Sequence, residues 1–256
     1  MERYCPGPEV DVNFVLFDGE VMFSDVCDDF PKIADVNGPS ITSQVNTFIE
    51  LNSTFPSALP PGEIDVLRNS FHGTLSRLGL WNGIMHLEGR VDHSSVSYQT
   101  KDGVLDIYAH PTQSDTAQEQ QPTAWLHEIN PRPPGMKGTQ IIESTHGVDY
   151  WGLGLLIALR DKQRVRTLSY PFKNGPQYSC VMVFIPANYP VSYQGIFDSD
   201  DICAEFLLRR PDLEQHISRC GYLVKRGDVV PHPSSGIHRF LAYFNVFSRR
   251  RSSERK

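Results

Sequence analysis

Between residues 9 and 26 the chain reads EVDVNFVLFDGEVMFSDV. Val10, Val12, Phe14 and Leu16 alternate with Glu9, Asp11 and Asn13, the period-two pattern of a strand with one apolar face. Asp18-Gly19 is a tight-turn signal, so Val21, Phe23 and Val26 fall on a returning antiparallel strand. Residues 27–61 are rich in Asp, Asn, Ser and Pro and read as loop, with one short element near Val45–Leu51. Within that stretch Asp28-Asp29 reads as a solvated turn rather than a second acidic site. Pro60-Pro61 then opens a helix in which Ile64, Leu67, Phe71, Leu75 and Leu78 recur at threes and fours, and Gly79 stops it.

Further on, LWNGIMHLEGRV predicts a strand and SVSYQTKDGVLDIYAH a second hairpin about Asp102-Gly103. Residues 111–123 are polar and turn-rich, a mobile surface loop, and AWLHEIN is again a strand. VDYWGLGLLIALRDK places Val148, Trp151, Leu155 and Leu159 at helical spacing. Beyond Lys162 the sequence predicts a strand at QYSCVMVFIP, a short helix at DICAEFLLRR and a last strand at RFLAYFNVFS. The basic tail RRRSSERK reads as a solvated end, in preference to a nuclear signal, and no internal repeat is present.

Composition narrows the classes. With 256 residues, 39% hydrophobic and 21% charged, the chain can bury a sizeable core as a soluble globular protein. A net charge of −6 argues against a dedicated nucleic-acid binder. No run of about 18 apolar residues predicts a membrane span, and the first ten residues carry no signal-peptide pattern. The five cysteines are odd in number and widely spaced, without a C-x-x-C. That excludes a zinc knuckle or disulfide framework as the first reading and suits a reducing, cytoplasmic location.

The chemistry-bearing stretch is AWLHEINPRPPG, residues 124–135. In a strand Glu128 and Asn130 share a face, and Glu88 on a neighbouring strand can join them. Two carboxylates and an amide oxygen make a hard, anionic site suited to Mg2+ or Mn2+ rather than zinc. Mg2+ completes its shell with phosphate oxygens and water, so the set predicts a nucleotide. Arg132, just past the strand, can hold a phosphate or carboxylate at two points, while Pro133, Pro134 and Gly135 fix a tight turn. Periodicity alone equally allows, and favours, a half-exposed strand ending in an arginine ion pair. Strand parity turns His127 away from Glu128, as a structural residue, and puts His86 on the face of Glu88 as a supporting group. His232 and His238 lie in a stretch too sparse to name a site, and no G-x-S-x-G elbow occurs.

The ordered series MERYCPGPEVDVNFVLFDGE, MHLEGRV, WLHEINPRPPG and STHGVDYWGLGLLIALRD resembles the ATP-grasp superfamily. It looks closest to the carboxylate–amine ligases that include carnosine synthase and amino-acid ligases. The resemblance covers residues 2–161, and its most specific piece is E-I-N-P-R paired with the upstream H-x-E. It implies an α+β fold: a C-terminal ATP-grasp subdomain with antiparallel sheet and packed helices, plus a small C-terminal α/β extension. The implied division is 1–162, from adenine hinge to metal site, and 163–256, a lid or substrate lobe. By the same resemblance Glu88, Glu128 and Asn130 bind the Mg2+ or Mn2+ ions of ATP. Arg132 is the catalytic cation on the transferring phosphoryl group and acyl phosphate. Glu2, Arg3, Tyr4 and Cys5 form the hinge beside the adenine, largely through backbone, and Glu9 reaches the ribose hydroxyls.

The implied reaction joins a small-molecule carboxylate to an amine, amino acids among them, through an acyl phosphate. Such phosphoryl transfer asks mainly for positioning and charge neutralisation, and no general base is assigned. The chain begins at the implied hinge, so the family's first subdomain, with its phosphate-holding lysines and glycine-rich loop, has no counterpart in this sequence. GLGLL and GMKG do not replace it. Two expectations follow: an incomplete fragment of a ligase, as a truncated gene model, a gene remnant or a domain cut from a longer protein, with a second chain as one source of the missing half, or a non-catalytic ATP-grasp-like binding or partner-contact module.

Overall fold

A computed structural model describes residues 3–32, 35, 49–110, 120–249 and 251. Glu2, most of the element expected near Val45–Leu51 and residues 111–119 lie outside the described residues. The chain divides into two compact units, one of residues 1–31, 54–179 and 249–256, the other of 32–53 and 180–248.

In the first unit β1 (Glu9–Phe17) pairs antiparallel with β2 (Glu20–Asp29). Asp18 and Gly19 hold φ of 51° and 79°, the positive values that a two-residue hairpin turn requires. After β3 (Asn52–Phe55), where the chain passes from the second unit to the first, α1 (Pro61–Arg77) begins with proline at its first turn. Its buried stripe is Leu67, Phe71 and Leu75, and Gly79 at φ 77° ends it. β4 (Gly83–Asp92) lies antiparallel beside β1, and β7 (Thr123–Asn130) beside β4, giving the order β7-β4-β1-β2. Between them β5 (Val96–Lys101) and β6 (Val104–Ala109) form the second expected hairpin.

One face of this sheet carries Val10, Val12, Phe14, Leu16, Met85, Leu87 and Val91 against Leu67, Phe71 and Leu75 of α1. Each such fully buried side chain stabilises the unit by about 1.5–3 kcal/mol. Three further helices follow: α2 (Met136–His146), α3 (Tyr150–Ala158) and α4 (Lys162–Leu168). The Asp149 carboxylate caps α3 by accepting from Trp151 N, and Asp161 caps α4 by accepting from Arg164 N. α3 packs against β4 and β1.

The second unit contains β8 (Ser179–Pro186), α5 (Ile202–Arg209), β9 (Ile217–Tyr222) and β10 (Phe240–Ser248), with β9 and β10 antiparallel. Small apolar clusters hold it, Cys203, Ala242 and Phe244 in one, Ala187, Val224 and Val230 in the other.

Three expectations need correction. The Trp151, Leu155 and Leu159 stripe of α3 is exposed; Tyr150, Leu153 and Ile157 are the buried face, because the helix is apolar all round and spacing alone could not choose. Asp28-Asp29 is no solvated turn but the buried end of β2. The tail is not wholly solvated either: Arg251 is buried, its guanidinium donating to Asp28, to Asp106 and to the Pro56 carbonyl.

Candidate nucleotide and metal site

The side of the sheet away from α1 carries the polar residues of β1, β4 and β7. Register sets Glu88 directly opposite Glu128, and His86 opposite Asn130. A bulge makes this possible. Glu88 pairs with Glu128 but Gly89 with Leu126, which leaves His127 as the extra residue. Without it Ala124, Leu126, Glu128 and Asn130 would all share one face. With it, Ala124 and Leu126 pack on the apolar core, as does Ile129, while Glu128 and Asn130 point the other way. His127 itself is exposed.

The Asn130 amide donates to Glu88 Oε1 at 3.3 Å. His86 Nε2 lies 3.4 Å from the same oxygen. Its Nδ1 is 2.9 Å from Asn13 Oδ1, and Asn13 Nδ2 donates to Asp25 Oδ2 at 3.3 Å. The Tyr150 hydroxyl donates to the other Asp25 oxygen. Burial pushes the Asp25 carboxyl up to about 6 despite these two donors.

On the β1 side Asp11 stands opposite Glu88, so Glu128, Glu88 and Asp11 form a row of carboxylates across three strands. Asp11, His86 and Glu88 bring their donor atoms within 4.8 Å of one another. Sequence reading named His86 only as a support and left Asp11 out; its alternation with Val10 and Val12 was the available signal.

The residues expected at the hinge gather on Arg90, which sequence reading also missed although it continues the His86, Glu88 alternation. Its guanidinium donates to Glu9, to the Cys5 carbonyl at 3.1 Å and to the Tyr4 hydroxyl at 3.3 Å, and lies over the Tyr4 ring. Arg3 pairs with Asp92 and covers the Trp125 ring. Cys5 is buried, and burial raises its thiol pKa, so it offers a ligand its backbone rather than a thiolate. Arg132 is exposed just beyond β7 and donates to the Pro133 carbonyl at 3.0 Å.

No family model matches the chain. The ATP-grasp enzyme fsqD of Aspergillus fumigatus is 59% identical over 249 residues, 97% of this chain and 43% of that protein. The chain belongs to the ATP-grasp superfamily. It therefore spans less than half the length of the curated relative it matches. The L-amino acid ligase from Bacillus licheniformis superposes with a TM-score of 0.62 at 17% identity, over 98% of this chain and 51% of that one. The biotin carboxylase domain of the Hydrogenobacter thermophilus 2-oxoglutarate carboxylase, in complex with MgADP, gives 0.52 at 13% identity, over 97% and 43%. Both likenesses are of fold. Among the described residues no helix is long and apolar enough to cross a membrane.

Proposed function

We propose that this ATP-grasp chain serves an ATP- and Mg2+-dependent carboxylate–amine ligase, forming an amide through an acyl phosphate, in the cytoplasm. The observation that carries the reading is the register of β4 and β7, with Glu88 opposite Glu128 and Asn130 bonded to Glu88. Two carboxylates fixed on rigid strands, with an amide beside them, fit a hard dication. Asn130 would give up its hydrogen bond to Glu88 and offer its amide oxygen to the ion.

Bound Mg2+ neutralises phosphate charge. Glu88, Glu128 and Asn130 would hold the ion beside the nucleotide's phosphates, and Arg132, exposed just beyond β7, would bring its positive charge to the group in transfer. Arg90 holds the segment of Arg3, Tyr4 and Cys5 against Glu9, which fixes the backbone that faces the adenine, with Glu2 at its start. Glu9, already engaged by Arg90, turns its remaining acceptor capacity to the ribose. The substrates in this reading are a small carboxylate and an amine, amino acids first.

Nucleotide binding measured calorimetrically with and without Mg2+ tests the reading. Wild type requires Mg2+, and Glu88→Gln and Glu128→Gln each weaken binding about tenfold or more. Equal nucleotide affinity in wild type and both variants would remove the metal roles.

A further inference from the structure

In the second unit a strand bulge and a short helix bring two thiols together. β9 and β10 set Ala242 opposite Tyr222, Phe244 opposite Cys220 and Val246 opposite Ile217. Ile217 and Cys220 are three positions apart, so an unbroken strand would turn them to opposite faces. The register shifts between Asn245 and Val246, which leaves Ser218 as the extra residue. Ile217 and Cys220 therefore share the face of Ala242, Phe244 and Val246.

α5 packs on that face. Asp201 starts the helix by accepting from Cys203 N and Ala204 N. One turn on, the Phe206 ring meets the Phe244 ring with centroids 4.9 Å apart. Held between these two anchors, the Cys203 thiol is a hydrogen-bonding neighbour of the Cys220 thiol. Cys203 is buried and Cys220 half-buried. Burial above all, then Cys220 and the Asp201 charge, pushes the Cys203 thiol up to about 12. Cys203 thus keeps its proton, and Cys220 is the sulfur that solvent reaches.

We propose that Cys203 and Cys220 are an oxidation site, at which a hydroperoxide closes a disulfide that holds α5 on β9. The Cys220 sulfur attacks one oxygen of hydrogen peroxide, the O–O bond breaks, and the departing hydroxide leaves as water with the Cys220 proton. The Cys203 sulfur then attacks the sulfur of the Cys220 sulfenic acid. The S–S bond forms, the S–O bond breaks, and the hydroxyl leaves as a second water with the Cys203 proton. The two thiols lose two electrons to the peroxide, and both protons end in water. A bond of this kind in a reducing compartment is transient and is reopened by thiols. The proposal stands apart from the metal reading, since both cysteines belong to the second unit and Glu88 and Glu128 to the first.

The test uses the full chain, reduced, freed of reductant and treated with hydrogen peroxide, then alkylated in denaturant and mapped by mass spectrometry without reduction. Wild type should give a peptide pair joined through Cys203 and Cys220, two hydrogens lighter and separated again by dithiothreitol. Cys5, Cys27 and Cys180, all buried, should be alkylated in the same sample. Amide exchange in α5 should slow on the order of tenfold on oxidation. Cys203→Ala keeps the apolar cluster but removes the second thiol, so Cys220 should stop at the sulfenic acid and be trapped by dimedone. Wild type should trap little. In Cys220→Ser, Cys203 should stay reduced.

A wild type whose Cys220 takes up dimedone as fully as that of Cys203→Ala, with no joined peptide, overturns the proposal. So does oxidation of Cys203 in Cys220→Ser at the wild-type rate, or a joined peptide with unchanged exchange in α5.

Discussion

Arg251→Met is the substitution whose cost the structure fixes best. The guanidinium is buried, bonded twice to Asp106 Oδ1 at 2.6 and 2.9 Å, to Asp28 Oδ2 at 2.7 Å and to the Pro56 carbonyl at 3.0 Å. Burial works against its charge, yet Asp106 and Asp28 hold the pKa above the ordinary arginine value. Methionine matches much of the volume but takes the cation from two buried aspartates, which keep only neutral donors such as Ser57, Ala58 N and Ile107 N, and removing one partner from a buried ion cluster costs about 3–5 kcal/mol. All three tryptophans, Trp81, Trp125 and Trp151, lie in the first unit, so their emission in a urea titration follows that unit alone. Without the guanidinium these buried carboxyls would bind protons more tightly folded than unfolded, so the deficit should shrink as pH falls from 7 towards 5. Arg166→Ala is the control, because its Nη2 pairs with Glu20 on the exposed surface and its loss should leave the unfolding midpoint nearly unchanged. A loss below about 1 kcal/mol for Arg251→Met, with no pH dependence, would refute the view that this residue closes the unit.

Two further outcomes follow from buried groups and close approaches. Asp25 binds its proton more tightly folded, at about 6, than unfolded, at about 3.9. Its contribution to stability is therefore full below about pH 4 and is lost as pH rises through 6, by roughly 3 kcal/mol. His146 pulls the other way: burial lowers it to about 4, so its contribution is present above pH 6.5 and lost as pH falls towards 4. The difference between wild type and Asp25→Asn in urea titrations from pH 4 to 7 isolates the aspartate, and parallel curves would contradict its raised pKa. Gly89→Ala would set a Cβ 2.4 Å from the Trp125 carbonyl oxygen and 2.5 Å from Phe71 Cζ. It should destabilise the unit by about 1–3 kcal/mol and weaken Mg2+-dependent nucleotide binding by parting β4 from β7; wild-type values in both assays would count against that packing.

How much could be read along the chain depended on the distance over which each residue finds its partner. The Asp18-Gly19 and Asp102-Gly103 hairpins and the α1 stripe as far as Leu75 are local and stand where the pattern put them; Leu78, expected to continue the stripe, lies just past the helix and is exposed. α2 went unread because its buried face is Gly138, Thr139, Ile141, Ile142, Thr145 and His146, mostly small or polar, so no apolar stripe marks it. β9 is similar, with ISRCGY offering little alternation. Arg251 meets Asp28 across 223 positions, and nothing in RRRSSERK or CDDFP announces the other. Arg90 and Asp11 were legible in principle, since each continues a period-two run already used for its neighbours.

The bulge at His127 shows why a parity argument reached Glu88, Glu128 and Asn130 although the strand breaks parity. Glu128 and Asn130 both follow the extra residue, so their spacing of two still sets them on one face. Ala124 and Leu126 precede it and keep the core face, so one strand of eight residues serves the apolar layer over most of its length and the polar layer at its end. The same division recurs in β1 and β4, where every second side chain packs on α1 and the intervening ones carry Asp11, Asn13, His86, Glu88 and Arg90. A sheet anchored by its apolar face can hold several carboxylates on the other at fixed spacing. Gathering them costs stability, and in the function proposed above a bound cation would offset that cost.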